Sequence, residues 1–172
     1  MSTTLHELCK DWQNWAVTAD RSEDGWQSDY PQWDNLMYAA KAAMLKPSLS
    51  VEDLQDIELC WTISDETEDL AEYAIEHLDQ CWEVLNHLAQ SSYLEVRWQV
   101  FYVLSFAGRK AEPLLRRGLA DPNPYCKRRA FLSLVALQPD DAKELAEQFM
   151  QDEDVHIRNA AAGLMHSRKV KN

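Results

Sequence analysis

The sequence has little of what divides a chain into short strands: only 4 of its 172 residues are Gly and 6 are Pro. A sandwich or barrel needs turn residues at intervals of about 8–12 positions, so an all-β fold is excluded. No apolar run approaches the roughly 18 residues required by a membrane-spanning helix. The four cysteines, Cys9, Cys60, Cys81 and Cys126, are scattered. No pair has the two-residue spacing of a metal or redox motif and no histidines cluster beside them, which predicts buried reduced thiols. The opening residues carry Glu7, Lys10 and Asp11 in place of an apolar signal core, so a cytoplasmic protein without a targeting segment is expected. Gly25, Gly108, Gly118 and Gly163 are isolated and cannot form a phosphate-cradling loop. Neither a nucleophile elbow nor a helical zinc-protease motif is found, and the sequence assigns no catalytic residue, no metal ligand and no cofactor.

The most informative absence is local. Residues 47–96 hold thirteen Asp and Glu and not one Lys or Arg, whereas residues 97–172 hold nine acids and thirteen bases. The formal charge of -12 is therefore concentrated in one stretch. Such a balance argues against nucleic acid and anionic membranes and makes a basic protein the natural partner.

Apolar spacing is helical almost throughout. In the stretch opened by Asp140, the residues Ala142, Leu145, Ala146, Phe149 and Met150 follow the i, i+3, i+4, i+7, i+8 pattern of one helix face. Similar stripes cover 4–17, 32–46, 51–62, 68–78, 80–90, 94–107, 111–119, 124–137 and 154–167. Pro31, Pro113 and Pro124 stand where first turns begin, and Pro47 and Pro139 follow helix ends.

A repeat runs through the later helices. Asp121 precedes Cys126-Lys127, Ala130 and Leu134; thirty-one residues on, Asp152 precedes Ile157-Arg158, Ala161 and Met165. Upstream, Ser91 precedes Val96-Arg97, Val100 and Leu104. An acid in the turn, an aliphatic and a basic residue opening the second helix, then a small residue one turn later resemble the HEAT-like repeats, in particular the short kind first described in phycobilisome lyases. The resemblance covers about 88–168, and a degenerate copy is read from Asp65, Leu70, Ala74 and Leu78. It implies an all-α solenoid of antiparallel helix pairs in a single domain, 1–172: a divergent N-terminal helical cap (1–46), an acidic degenerate repeat (47–90) and HEAT-like repeats (91–168). It also implies a structural ladder in which Asp121 and Asp152 cap the following helix or accept from Arg97, Lys127 or Arg158 of a neighbouring repeat.

Between the first two helices, residues 20–34 combine five acids with Trp26, Tyr30 and Trp33. Acids steer a basic partner and large aromatics supply contact area, although burial of Trp26 or Trp33 under the first repeat is an equal reading. The expected partner-binding residues are Asp24, Trp26, Asp29, Tyr30 and Trp33 of this loop with Glu58, Asp65, Glu66, Glu68, Asp69, Glu72 and Glu76 of the acidic stretch. The leading expectation is a non-catalytic protein-interaction module. Small acidic HEAT-like proteins resemble some immunity proteins of bacterial polymorphic toxin systems, which implies an inhibitor of a basic protein. The alternative, by resemblance to HEAT-like DNA glycosylases, is a nucleic-acid-binding or repair protein using the basic 109–129 surface. The oligomeric state is left open.

Overall fold

The computed structural model describes residues 3–64, 66–138 and 141–167. Among them every regular element is helical: α1 (Leu5–Ala16), α2 (Trp33–Met44), α3 (Val51–Ile63), α4 (Asp69–Glu76), α5 (Trp82–Leu88), α6 (Leu94–Leu104), α7 (Glu112–Gly118), α8 (Pro124–Leu137), α9 (Ala142–Phe149) and α10 (Val155–Ser167). Short 3₁₀ turns occupy Trp26–Asp29 and Gly108–Ala111. All ten stripes appear as helices, and no described helix is long and apolar enough to cross a membrane. The stripe over 94–107 is cut short at Leu104. The N–H groups of Ser105, Phe106 and Ala107 turn back to the carbonyls three residues earlier, and Gly108 then takes φ 66°, a left-handed conformation open to glycine. Pro31 lies in the turn before α2, where the Trp33 N–H bonds to the Tyr30 carbonyl.

Local chemistry starts the helices. Thr4 and Glu7 form a reciprocal capping box on α1, and Ser50 and Asp53 form another on α3. Pro113 and Pro124 occupy first turns, where a missing N–H costs nothing.

The chain divides into two compact units, Met1–Val100 and Phe101–Asn172. In the first, α1, α2 and α3 pack on one another, α2 also on α4 and α3 also on α5. Leu36, Met44, Ile57, Cys60 and Trp61 are fully buried there. Buried Gln99 of α6 donates to the Trp61 carbonyl at 3.1 Å and the Glu95 carbonyl at 2.7 Å, which fastens α6 to α3. In the second unit α7 packs on α8, α9 on α10, and both α9 and α10 on α8. Leu115, Ala130, Phe131, Ala146, Ile157 and Ala161 are inaccessible to solvent. The approach of α7 to α8 is close because Gly118 faces Ala130. A Cβ on Gly118 would lie 2.7 Å from the Ala130 Cβ and 2.9 Å from the Phe101 ring.

Candidate partner-binding surface

The 20–34 loop is held by its aromatics. On α1, Trp12 and Trp15 are one turn apart and present both rings to Trp26. Trp26 stacks on them with centroid separations of 6.0 and 5.9 Å, and Tyr30 adds a contact with Trp15 at 5.5 Å. The Trp12 indole N–H donates to the Gln27 carbonyl. Arg21 lies over the Trp26 ring at 4.7 Å while donating to the Ala16 carbonyl at 2.6 Å, so its cation also meets the negative end of α1. Gly25 turns the chain at φ 75°. The aromatics therefore face inward: Trp26 and Trp33 are half-buried and Tyr30 is only 6% exposed. As a partner contact Tyr30 is corrected, because its ring is used against Trp15. Asp20, Glu23, Asp24, Asp29 and Asp34 all remain exposed.

Most of the acids of 47–96 fall into two groups. Those that begin α3 serve the fold. Asp53 accepts from Lys46 at 2.5 Å and from the Ser50 N–H at 3.0 Å, which holds its carboxyl down to about 2. His6 of α1 bridges Glu52 at 3.3 Å and Asp56 at 3.1 Å. Burial pushes the Asp56 carboxyl up, partly offset by His6. Glu58 is half-buried on the same helix.

The second group lies around the start of α4. The Glu66 carboxylate sits 2.9 Å from the position a Cβ would take on Gly25, so the turn after α3 meets the acidic loop. Glu68 precedes α4 in a left-handed conformation, φ 53° and ψ 12°, unusual for a residue with a side chain. Glu68, Glu72 and Glu76 then recur every four residues along one face, with Asp69 beside them. Glu66, Glu72 and Glu76 are exposed, and Glu68 and Asp69 are half-buried. Like charges at this spacing destabilise a helix by roughly 0.2–0.5 kcal/mol per pair, a cost that packing does not require. Asp65 lies outside the described residues, and with it the turn residue of the degenerate upstream copy.

The ladder residues occupy turns of one geometry. Ser91 Oγ accepts from the Tyr93 N–H at 3.0 Å, Asp121 from the Asn123 N–H at 2.9 Å and Asp152 from the Asp154 N–H at 2.9 Å. Capping passes to the residue so held: Asn123 accepts from the N–H groups of Tyr125 and Cys126, and Asp154 from those of His156 and Ile157. The expectation that Asp121 and Asp152 cap directly is thus displaced by two residues, since a side chain folded onto its own turn cannot reach the next helix. Arg97 donates to the Ser91 carbonyl at 2.8 Å and Arg158 to the Asp152 carbonyl at 2.6 Å, each six residues back. Lys127 reaches across, pairing with the carboxylate of Asp152. Burial raises the Asp152 carboxyl, but Lys127 and the Asp154 N–H outweigh it and the net shift is downward.

Several cations of the basic 109–129 segment have partners. Arg116 pairs with Glu112 at 2.7 Å, Lys127 with Asp152, and the Arg128 and Arg129 guanidiniums lie over the Tyr125 and Tyr102 rings at 5.1 and 5.0 Å. Among the described residues no group of three His, Cys, Asp or Glu is arranged to hold a metal ion, and His77 packs against Tyr73 at 4.3 Å. A groove of about 570 Å³ beside α1 and α2 is lined by Leu5, Leu8, Ala39, Ala42 and Ala43. Its ionisable lining groups are Tyr38 and Lys46, the latter paired with Asp53.

The contact of Glu66 with Gly25 leaves no trace in the sequence, since 41 positions separate the two residues and neither belongs to a periodic stripe. The Arg21 stack is equally silent, though an arginine in a loop of acids and tryptophans is a usable signal. No protein-family model matches the chain, and no curated protein is significantly similar to it.

Proposed function

We propose that the chain is a non-catalytic protein-interaction module, a HEAT-like solenoid with a divergent N-terminal cap, whose acidic surface holds a basic protein. The observation that carries this reading is the contact of Glu66 with Gly25, which joins the exposed acids of the 20–34 loop to the acidic edge of α4. A loop fixed by three stacked indoles presents its carboxylates at little further entropic cost, and their field accelerates the approach of a cation. The left-handed Glu68 and the unrelieved Glu68, Glu72, Glu76 row are departures from the most stable choice, of the kind tolerated where a surface binds something. The solenoid reading draws on the threefold recurrence of the Ser91, Asp121 and Asp152 turn and on the α7–α8 and α9–α10 pairs. An inhibitor or immunity protein that masks a basic toxin fits this description. The nucleic-acid reading draws less support, because Arg116 and Lys127 are neutralised by carboxylates.

Site-specific photo-crosslinking in the source cells tests the proposal. A benzoylphenylalanine replacing Trp33, Glu66 or Glu72 should capture the same basic protein, and one replacing exposed Lys143 of α9 should not. Capture of an acidic protein other than a second copy of the chain, or equal capture from all four positions, overturns it.

A further inference from the structure

The second unit carries a surface of opposite character. On α8, Tyr125, Arg128, Arg129 and Leu132 line a shallow pocket of about 290 Å³. Arg129 lies over Tyr102, whose ring meets Phe106 edge-on at 5.4 Å, so the patch continues onto the end of α6 and the turn after it. Apolar side chains are open to solvent here: Phe106 is 52% exposed, Leu132 43% and Tyr125 40%. The helix α8 contains no acid of its own, and its Arg128, over the Tyr125 ring, has no carboxylate partner among the described residues. Exposed aromatic and aliphatic groups around flat guanidinium forks have the composition of an interface centre that takes carboxylates.

The chain itself supplies the complement. The 20–34 loop and the Glu66, Glu72 and Glu76 edge offer exposed carboxylates beside half-buried Trp26 and Trp33. We propose that the Arg128–Arg129 face binds a second copy of this chain through that acidic surface, in a head-to-tail contact. The inference rests on the acidic surface being a binding surface, and it gives that surface a second occupant with which a basic partner competes. Nucleic acid fits the face less well. Stacking needs open ring faces, and guanidiniums already cover one face of Tyr102 and of Tyr125. A contact between two different surfaces is heterologous, so mass grows with concentration unless a ring closes.

Sedimentation velocity of the full chain tests this, over about 5–200 µM in roughly 50 mM salt, where the Debye length is near 14 Å. The weight-average mass should rise above 19.9 kDa with concentration and return to it near 500 mM salt. Arg128→Glu with Arg129→Glu should stay monomeric, as should Glu66→Lys with Glu72→Lys and Glu76→Lys. An equimolar mixture of these two variants should form a dimer, because each retains the face the other lacks. Unchanged circular dichroism and urea midpoints establish that each variant is folded. A wild-type mass of 19.9 kDa at every concentration, or folded variants that do not combine, overturns the inference. Binding of a labelled oligothymidylate that the arginine reversals abolish, without self-association, reassigns the face to nucleic acid. Self-association can fail while the cross-linking at Glu66 and Glu72 still captures a basic protein, so the two proposals fail separately.

Discussion

Replacing Gly118 by Ala sets two effects of opposite sign against each other. A new methyl near the end of α7 raises helix propensity, by at most about 1 kcal/mol. The same methyl lies 2.7 Å from the Ala130 Cβ and 2.9 and 3.0 Å from two Phe101 ring atoms. Ordinary carbon contacts are about 3.5–4.0 Å, so α7 and α8 must separate by several tenths of an ångström or more. Neither neighbour can yield alone, since the Ala130 Cβ is fixed to its backbone and Phe101 is 2% exposed. Overpacking of this kind costs about 1–3 kcal/mol, so a net loss of about 1–2 kcal/mol is expected. Gly163 in α10 is the control: a Cβ there meets nothing within 4 Å, and Gly163→Ala should stabilise by about 0.5–1 kcal/mol. Both substitutions lie in the second unit, so one urea transition reads them. With a slope of about 1 kcal/mol/M, the midpoints should move apart by about 2 M. Equal or higher stability for Gly118→Ala would refute the close approach of the two helices.

Three other experiments follow from the geometry. Asp53→Asn should destabilise by about 1–2 kcal/mol at neutral pH. Because the folded carboxyl is held down to about 2 against a reference of 3.8, that difference should be full above pH 4 and fade as pH falls through 2, as acid titration of both proteins will record. A double-mutant cycle of Lys127→Met and Asp152→Asn should give a coupling of about 1–2 kcal/mol in urea unfolding, since the pair is largely shielded from water. Glu68→Gly relieves the left-handed strain and should raise the melting temperature of the first unit, by an amount corresponding to about 0.5–1 kcal/mol.

Periodicity proved a sound guide to the helices because it depends only on the local 3.6-residue repeat, and the ends it missed, such as 105–107, are set by a glycine conformation. The turn motif was legible for the same reason: Asp121 and Asp152 each accept from the N–H group two residues on. What escaped is tertiary. Gly118 looks like any isolated glycine until Ala130 and Phe101 are set against it. Tyr30 has the composition of a contact residue, and only the Trp12, Trp15 and Trp26 stack explains its burial. The charge count located the acidic stretch but could not separate Asp53 and Asp56, committed to Lys46 and His6, from Glu66 and Glu72, which face water.

The central claim is that the exposed acids around α4 steer a basic protein onto the chain. It is tested most directly by the association rate of the cross-linked partner, measured by stopped flow for wild type and for Glu66→Lys with Glu72→Lys and Glu76→Lys. The account predicts a rate at least about tenfold lower for the variant near 50 mM salt, converging with wild type near 500 mM as screening removes the steering. Equal rates at low salt would contradict it.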